Sequence, residues 1–312
     1  MRFPAQKQGV LYLTEGGQET EIMYKFGHDL PDFAMFTLLN KPSAMKEVRG
    51  MYQRYLEAAA RHQFIALMGG LDYRASPDWA SKLGYSNAAL ADVQLQAIEF
   101  LRDVANPYAS ELPGVLYTGI VGPRGDAYSL NRAISAEESE DYHSVQIAAL
   151  RRAGVDLVSA LTLNNIEEAV GIAHAAHKAE LPVSLSFTLD SSSRLQSGAT
   201  VREAIEEVDA RTQDARPDFY GINCSHPVEF TPALEPGDWF LRVRSLRPNA
   251  AKMDKISLCK LGHLEAGDAH ELGHEMGELA RRYPHLDVWG GCCGTWETHL
   301  DEIARQVRQS RH

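Results

Sequence analysis

Two rhythms of hydrophobic and polar positions alternate along most of this chain. Short aliphatic runs rich in β-branched residues read as strands, and the longer stretches between them repeat apolar residues at the three- and four-residue spacing of one helix face. A strand is predicted at 10–13, followed by Gly16-Gly17 and a helix over 44–62. Strand 64–67 leads to helix 87–104, strand 115–121 to helix 136–153, and strand 156–163 to helix 166–179. Strand 182–189, helix 199–212 and strand 219–223 follow; a weakly written seventh strand is placed near 250–253, and strand 287–289 precedes a closing helix at 296–309.

This repetition predicts a (β/α)8 barrel, with a doubly wound open sheet as the alternative. A chain of 312 residues, 44% hydrophobic, can bury such a core. With no internal repeat or linker composition, one domain over 1–312 is the simplest organisation. Lys and Arg number 31 against 42 Asp and Glu, a formal net charge of -11, which argues against nucleic acid or an anionic membrane as partner. The start of the chain is polar with Pro4, and no apolar run reaches signal-peptide or membrane-span length, so the cytoplasm is expected. Four cysteines are too few for a disulfide scaffold and suit a reducing compartment.

The chemistry is concentrated where two of the strands end. Gly290-Gly291-Cys292-Cys293-Gly294-Thr295 puts adjacent thiols in a glycine-lined turn, and Gly221-Ile222-Asn223-Cys224 has the same design. Adjacent cysteines cannot easily bridge each other, but they can ligate one metal. Cys224, Cys292 and Cys293 would give Zn2+ three thiolates and leave a fourth position open, whereas structural zinc sites close all four with C-x-x-C-type pairs absent here. In a barrel these cysteines follow strands six and eight at the catalytic, carboxyl end. Such a centre carries a formal charge of -1, a poor Lewis acid for hydrolysis. It can instead deprotonate a thiol and present it to a soft carbon electrophile. Cys259 is read as a buried small apolar residue.

Four segments together, Gly221 to Cys224, Gly290 to Thr295, Glu15-Gly16-Gly17, and Ser186-Phe187-Thr188 with the later Gly198, resemble the zinc-dependent homocysteine S-methyltransferase family from about Leu11 to Ile303. The resemblance implies a (β/α)8 barrel, catalytic zinc on the three cysteines, and methyl transfer from S-methylmethionine, a betaine or a related onium donor to homocysteine. Glu15 stands where the family carries an aspartate that helps bind the homocysteine amine. Leu161 stands where a glutamate usually faces the same amine, and Met68-Gly69-Gly70-Leu71-Asp72-Tyr73 replaces a Thr-Asn-Thr run. The acceptor pocket therefore reads as rebuilt in a divergent member.

Several further residues are candidates for binding. Asp72 is a replacement carboxylate or a turn residue bonding its own backbone. Tyr73, Trp79 and Trp296 are aromatic faces for a cationic donor, and Gly16, Gly17 and Gln18 form a turn whose amides would suit a carboxylate. His226 is a fourth ligand or an orienting group, and Asn223 precedes the first cysteine. The partners expected are a small thiol acceptor and a methyl donor, with self-association left open. The alternatives are the same zinc chemistry on another thiol or selenol, or a non-catalytic zinc-binding barrel.

Overall fold

A computed structural model describes residues 2–131, 133–253 and 255–311, without the side chains of Lys255, Ile256 and Cys259. The expectation for Cys259 therefore lies outside the described residues. β1 (Tyr12–Thr14), β2 (Ile65–Met68), β3 (Val115–Val121), β4 (Leu157–Leu163), β5 (Val183–Phe187), β6 (Phe219–Asn223), β7 (Val243–Arg247) and β8 (Val288–Trp289) pair in sequence order. All neighbours are parallel, and β8 closes on β1 with Tyr12 opposite Val288. The (β/α)8 barrel is thus the observed fold, and the open sheet is excluded.

Helices α1 (Pro42–Arg61), α2 (Asn87–Ala105), α3 (Ala136–Ala153), α4 (Ile166–Lys178), α5 (Val201–Thr212), α6 (Pro227–Phe230), α7 (Ala269–Arg282) and α8 (Glu297–Gln309) follow the strands in order. Burial explains the strand signal: every residue of β4, β5 and β6 is buried, as expected for a parallel sheet covered by helices on one face and filled by side chains on the other. At the amino end Phe3 packs against Tyr12 and Phe219, with ring centroids 5.2 and 4.9 Å away, and closes the bottom of the barrel.

Elements in the last third of the chain depart from the sequence reading. The seventh strand lies at Val243–Arg247, not near 250–253, where the chain is a bend lining the loop above the barrel. Its pattern is hidden by Arg244 and Arg247, both buried and each neutralised by a carboxylate: Arg244 by Asp287 (2.8 and 2.6 Å), Arg247 by Glu15 (2.9 Å). Hydropathy cannot anticipate an ion pair made across the barrel wall. Helix α7 has no counterpart in the sequence reading. Its apolar face, Leu272, Met276, Leu279 and Ala280, is interrupted by Gly273 and Gly277, where a side chain would meet Glu302 and Gln306 of α8.

Candidate active site at the carboxyl end of the barrel

β6 runs out at Asn223, and the next residue, Cys224, turns at φ +55, a left-handed conformation unusual for a residue with a side chain. Its amide donates to the Arg247 carbonyl (3.1 Å), so the end of β7 holds the turn. After β8, Cys292 N donates to the Pro248 carbonyl (2.8 Å), and Ala250 N to the Cys293 carbonyl (3.0 Å). The segment after β7 thereby pins both cysteine turns. The sulfur atoms of Cys224, Cys292 and Cys293 lie within 4.8 Å of one another, a group able to hold a metal ion. Cys224 and Cys293 sulfurs are 3.8 Å apart, too far for a bond between them.

Three thiols this close resist ionising together. Hydrogen bonding with Cys224, aided by burial, pushes the Cys292 thiol up to about 12, and Cys293 is raised for the same reasons. A cation placed among them would reverse that penalty. Asn223, fully buried, orients the group from below: its amide nitrogen lies 3.8 Å from Cys292 Sγ, and its oxygen accepts the Thr162 amide at 2.8 Å.

The thiols form one wall of a cavity of about 620 Å³. Glu15, Gly16, Gly17, Gln18, Tyr73 and Leu161 all line it, together with the cysteines and Asn223. Trp79 lines it as well, whereas Asp72, Trp296 and His226 do not. Asp72 is buried and its carboxylate accepts the Ile120 amide (3.1 Å), while burial raises its pKa to about 7.

Local contacts refine the other expectations. The Gly17 amide donates to the Thr295 carbonyl (2.8 Å), and a side chain at Gly17 would run into the Cys292 carbonyl. These glycines thus let the turn after β1 press against the double-cysteine turn, and that amide is already occupied. Gln18 is anchored to the Tyr52 hydroxyl and the Gly69 carbonyl. Leu161 sits where β4 breaks register with β5, beside Thr162 at φ +58, whose hydroxyl meets Tyr73 at 2.6 Å. The Trp79 ring is covered by Arg74 at 4.4 Å and the Trp296 ring by Lys25 at 4.7 Å, so those faces are taken. His226 accepts the Val228 amide and caps α6; burial lowers its pKa to about 4.

Among the residues of the cavity wall that the sequence reading does not single out are Tyr128 and Arg247, and Glu19 enters that reading only as part of the turn after β1. Tyr128, in the loop after β3, places its hydroxyl 3.0 Å from Cys224 Sγ. That loop is held by Asn164, which donates to the Ala127 carbonyl, and by Glu168, which accepts the Arg124 amide. Arg247 escapes because β7 is misplaced. Glu19 sits next to Gln18, and burial, with Cys292 and Glu15 nearby, raises its carboxyl to about 7.

Comparison with known proteins bears directly on this site. Residues 12–307 match the family model described as homocysteine S-methyltransferase. The chain belongs to the homocysteine S-methyltransferase family. Curated relatives include the homocysteine S-methyltransferase of Escherichia coli strain K12, 28% identical over 99% of this chain and 98% of the relative. Homocysteine S-methyltransferase 4 of Zea mays is 24% identical over 98% and 92%. The solved homocysteine methyltransferase MmuM of Escherichia coli shares the family barrel. Its oxidized form superposes with a TM-score of 0.75 at 24% identity, covering 95% of this chain and 96% of MmuM. Its metallated form gives 0.72 at 23%, covering 96% of each chain. In this member of the family no helix of the described residues is long and apolar enough to cross a membrane.

Proposed function

We propose that this chain is a cytoplasmic, zinc-dependent S-methyltransferase, one barrel domain over 1–312, that moves a methyl group from an onium donor of the S-methylmethionine or betaine type to homocysteine or a related small thiol. The observation that carries the reading is the convergence of Cys224, Cys292 and Cys293 on the wall of an open cavity. Tetrahedral zinc with bonds to sulfur of about 2.3 Å separates its sulfurs by roughly 3.8 Å, and Cys224 and Cys293 already stand at 3.8 Å. Bound there, zinc would accept the acceptor's sulfur and keep it a thiolate at neutral pH.

The protein's own residues then have to align and exclude. Cys224, Cys292 and Cys293 act as ligands, and Asn223 fixes the direction of Cys292. Glu15, Gly16, Gly17, Gln18, Tyr73 and Leu161 shape the acceptor pocket, and Asp72 supports it from behind through Ile120. The acceptor releases its thiol proton to solvent, its sulfur forms a bond to the methyl carbon, and the donor's bond to that carbon breaks as a neutral sulfide or amine leaves with the bonding electron pair. Alignment of sulfur and methyl carbon supplies most of what this displacement needs. Leu161 favours a second reading, in which the acceptor is another thiol or a selenol. An open cavity beside the thiols speaks against a purely structural metal.

The test is a methyl-transfer screen of several thiols against several onium donors, with metal content measured in the same preparation. About one zinc per chain and a methylated thiol are expected. A stoichiometric zinc that refuses an added thiol as ligand, with no transfer for any pair, would overturn the reading.

A further inference from the structure

Among the described residues three arginines are buried, and two of them, Arg244 and Arg247, are neutralised by Asp287 and Glu15. Arg74, in the turn after β2, is 8% exposed and meets no carboxylate among the described residues. Its guanidinium lies over the rings of Trp79 (4.4 Å) and Tyr73 (5.1 Å) and donates through Nη1 to the Gly125 carbonyl (2.7 Å). Nε is enclosed without a hydrogen bond; Nη2 makes none either among the described residues but is not enclosed, and Arg74 lines the cavity. The carboxylates around it are engaged elsewhere. Asp126 accepts the Tyr128 amide (3.0 Å) and the Ser129 hydroxyl (3.3 Å), Asp78 accepts from Arg124 (3.0 Å), and Asp32 is paired with Lys82. Two rings and a backbone carbonyl thus orient a full positive charge without cancelling it, and a buried cation is costly until an anion meets it.

We propose that Arg74 reads a carboxylate on the methyl donor, so that the cavity takes zwitterionic onium compounds and rejects those that carry only the positive charge. This rests on the reading of the cavity as the site of methyl transfer from an onium donor, and names what that donor must carry. A cation on the wall repels an onium centre unless the same molecule brings an anion. The aromatic surface that could have attracted an onium there is covered, Trp79 by Arg74 and by Lys82 at 5.1 Å. What the wall offers instead is a guanidinium fork, whose donors match a carboxylate and make charge-assisted hydrogen bonds. In the closed ring β2 stands opposite β6, the strand that ends at Cys224. A carboxylate drawn to Arg74 therefore leaves the onium end of the same molecule turned away from the guanidinium, across the barrel mouth toward the thiols.

The test measures donor binding to the zinc-loaded protein by calorimetric titration, with S-methylmethionine and glycine betaine set against their amides, which keep the onium group and lose the carboxylate charge. The wild type is expected to bind each carboxylate form roughly tenfold or more tightly than its amide. Arg74→Gln should erase that preference by weakening the carboxylate forms to the level of the amides, with the affinity for homocysteine unchanged. The ligand-free variant should melt no lower than the wild type, because it removes a buried charge that no carboxylate neutralises. If Arg74→Gln melts early, Arg74→Lys, which keeps the charge and loses the fork, tests the same point through a reduced preference. Equal binding of carboxylate and amide forms by the wild type, an undiminished preference in the variants, or a loss confined to homocysteine would overturn the role of Arg74 alone. Failure of every onium compound to bind would overturn the donor reading of the cavity as well.

Discussion

At the scale of single residues, the site separates groups that hold chemistry from groups that choose the substrate. The three thiols depend on one another, because a metal held by two of them lacks the soft third ligand that makes the set selective. Cys292→Ala is expected to lose stoichiometric zinc and methyl transfer together, read by metal analysis; full retention of both would refute the ligand assignment. Leu161 is the more discriminating position. With Glu15 and Glu19 already supplying negative charge, Leu161→Glu would bury a further carboxylate without a partner, and kcat/KM for homocysteine is expected to fall severalfold. A rise of tenfold or more would instead mean that the ammonium lacks a partner in the wild type.

At the scale of elements, the barrel's upper rim is built from turns that lean on each other. The turn after β1 touches the turn after β8 through Gly17 and Thr295, and the segment after β7 is bonded to both cysteine turns. Gly17→Ala should push the double-cysteine turn outward, weakening zinc by about ten- to a hundredfold in chelator competition, as support groups around metals commonly do, with little change in melting. Unchanged affinity would show that the turn yields without moving the sulfurs. Lower in the wall, Arg244 and Asp287 join β7 to β8 away from the chemistry. Arg244→Met leaves Asp287 buried without its partner and is expected to cost about 3–5 kcal/mol in denaturant unfolding. Replacing both residues with apolar ones should recover much of that loss, because the penalty comes from the stranded charge.

For the whole molecule, the core is separate from the thiol cluster. The clusters that fill and surround the barrel are aliphatic and aromatic, from Phe3 at the bottom through the faces of the outer helices, and none of them needs the thiols. Chelation should therefore leave far-UV circular dichroism nearly intact and unfolding cooperative, lowering the melting temperature only by the metal's binding contribution. An apoprotein without secondary structure would mean that zinc organises the fold. The bottom of the barrel is filled by Phe3 and the Arg244–Asp287 pair, and the cavity lies at the opposite, carboxyl end.

Much of this is legible in the amino-acid sequence. Burial on both faces writes parallel strands as aliphatic runs, so β3 and β6 and helix α3 stand where the pattern puts them, and the paired cysteine turns announced a shared ligand set because few other roles need adjacent thiols between glycines. The glycines' close approach, the commitment of Asp72 to the Ile120 amide, and the covering of Trp79 by Arg74 belong to tertiary structure, since each depends on a partner distant in the chain. The same holds for Tyr128 beside Cys224 and for β7. A strand carrying two arginines reads as exposed until Glu15 and Asp287 are brought against them, because hydropathy scores a residue alone, whereas the cost of burying a charge is set by the group that meets it.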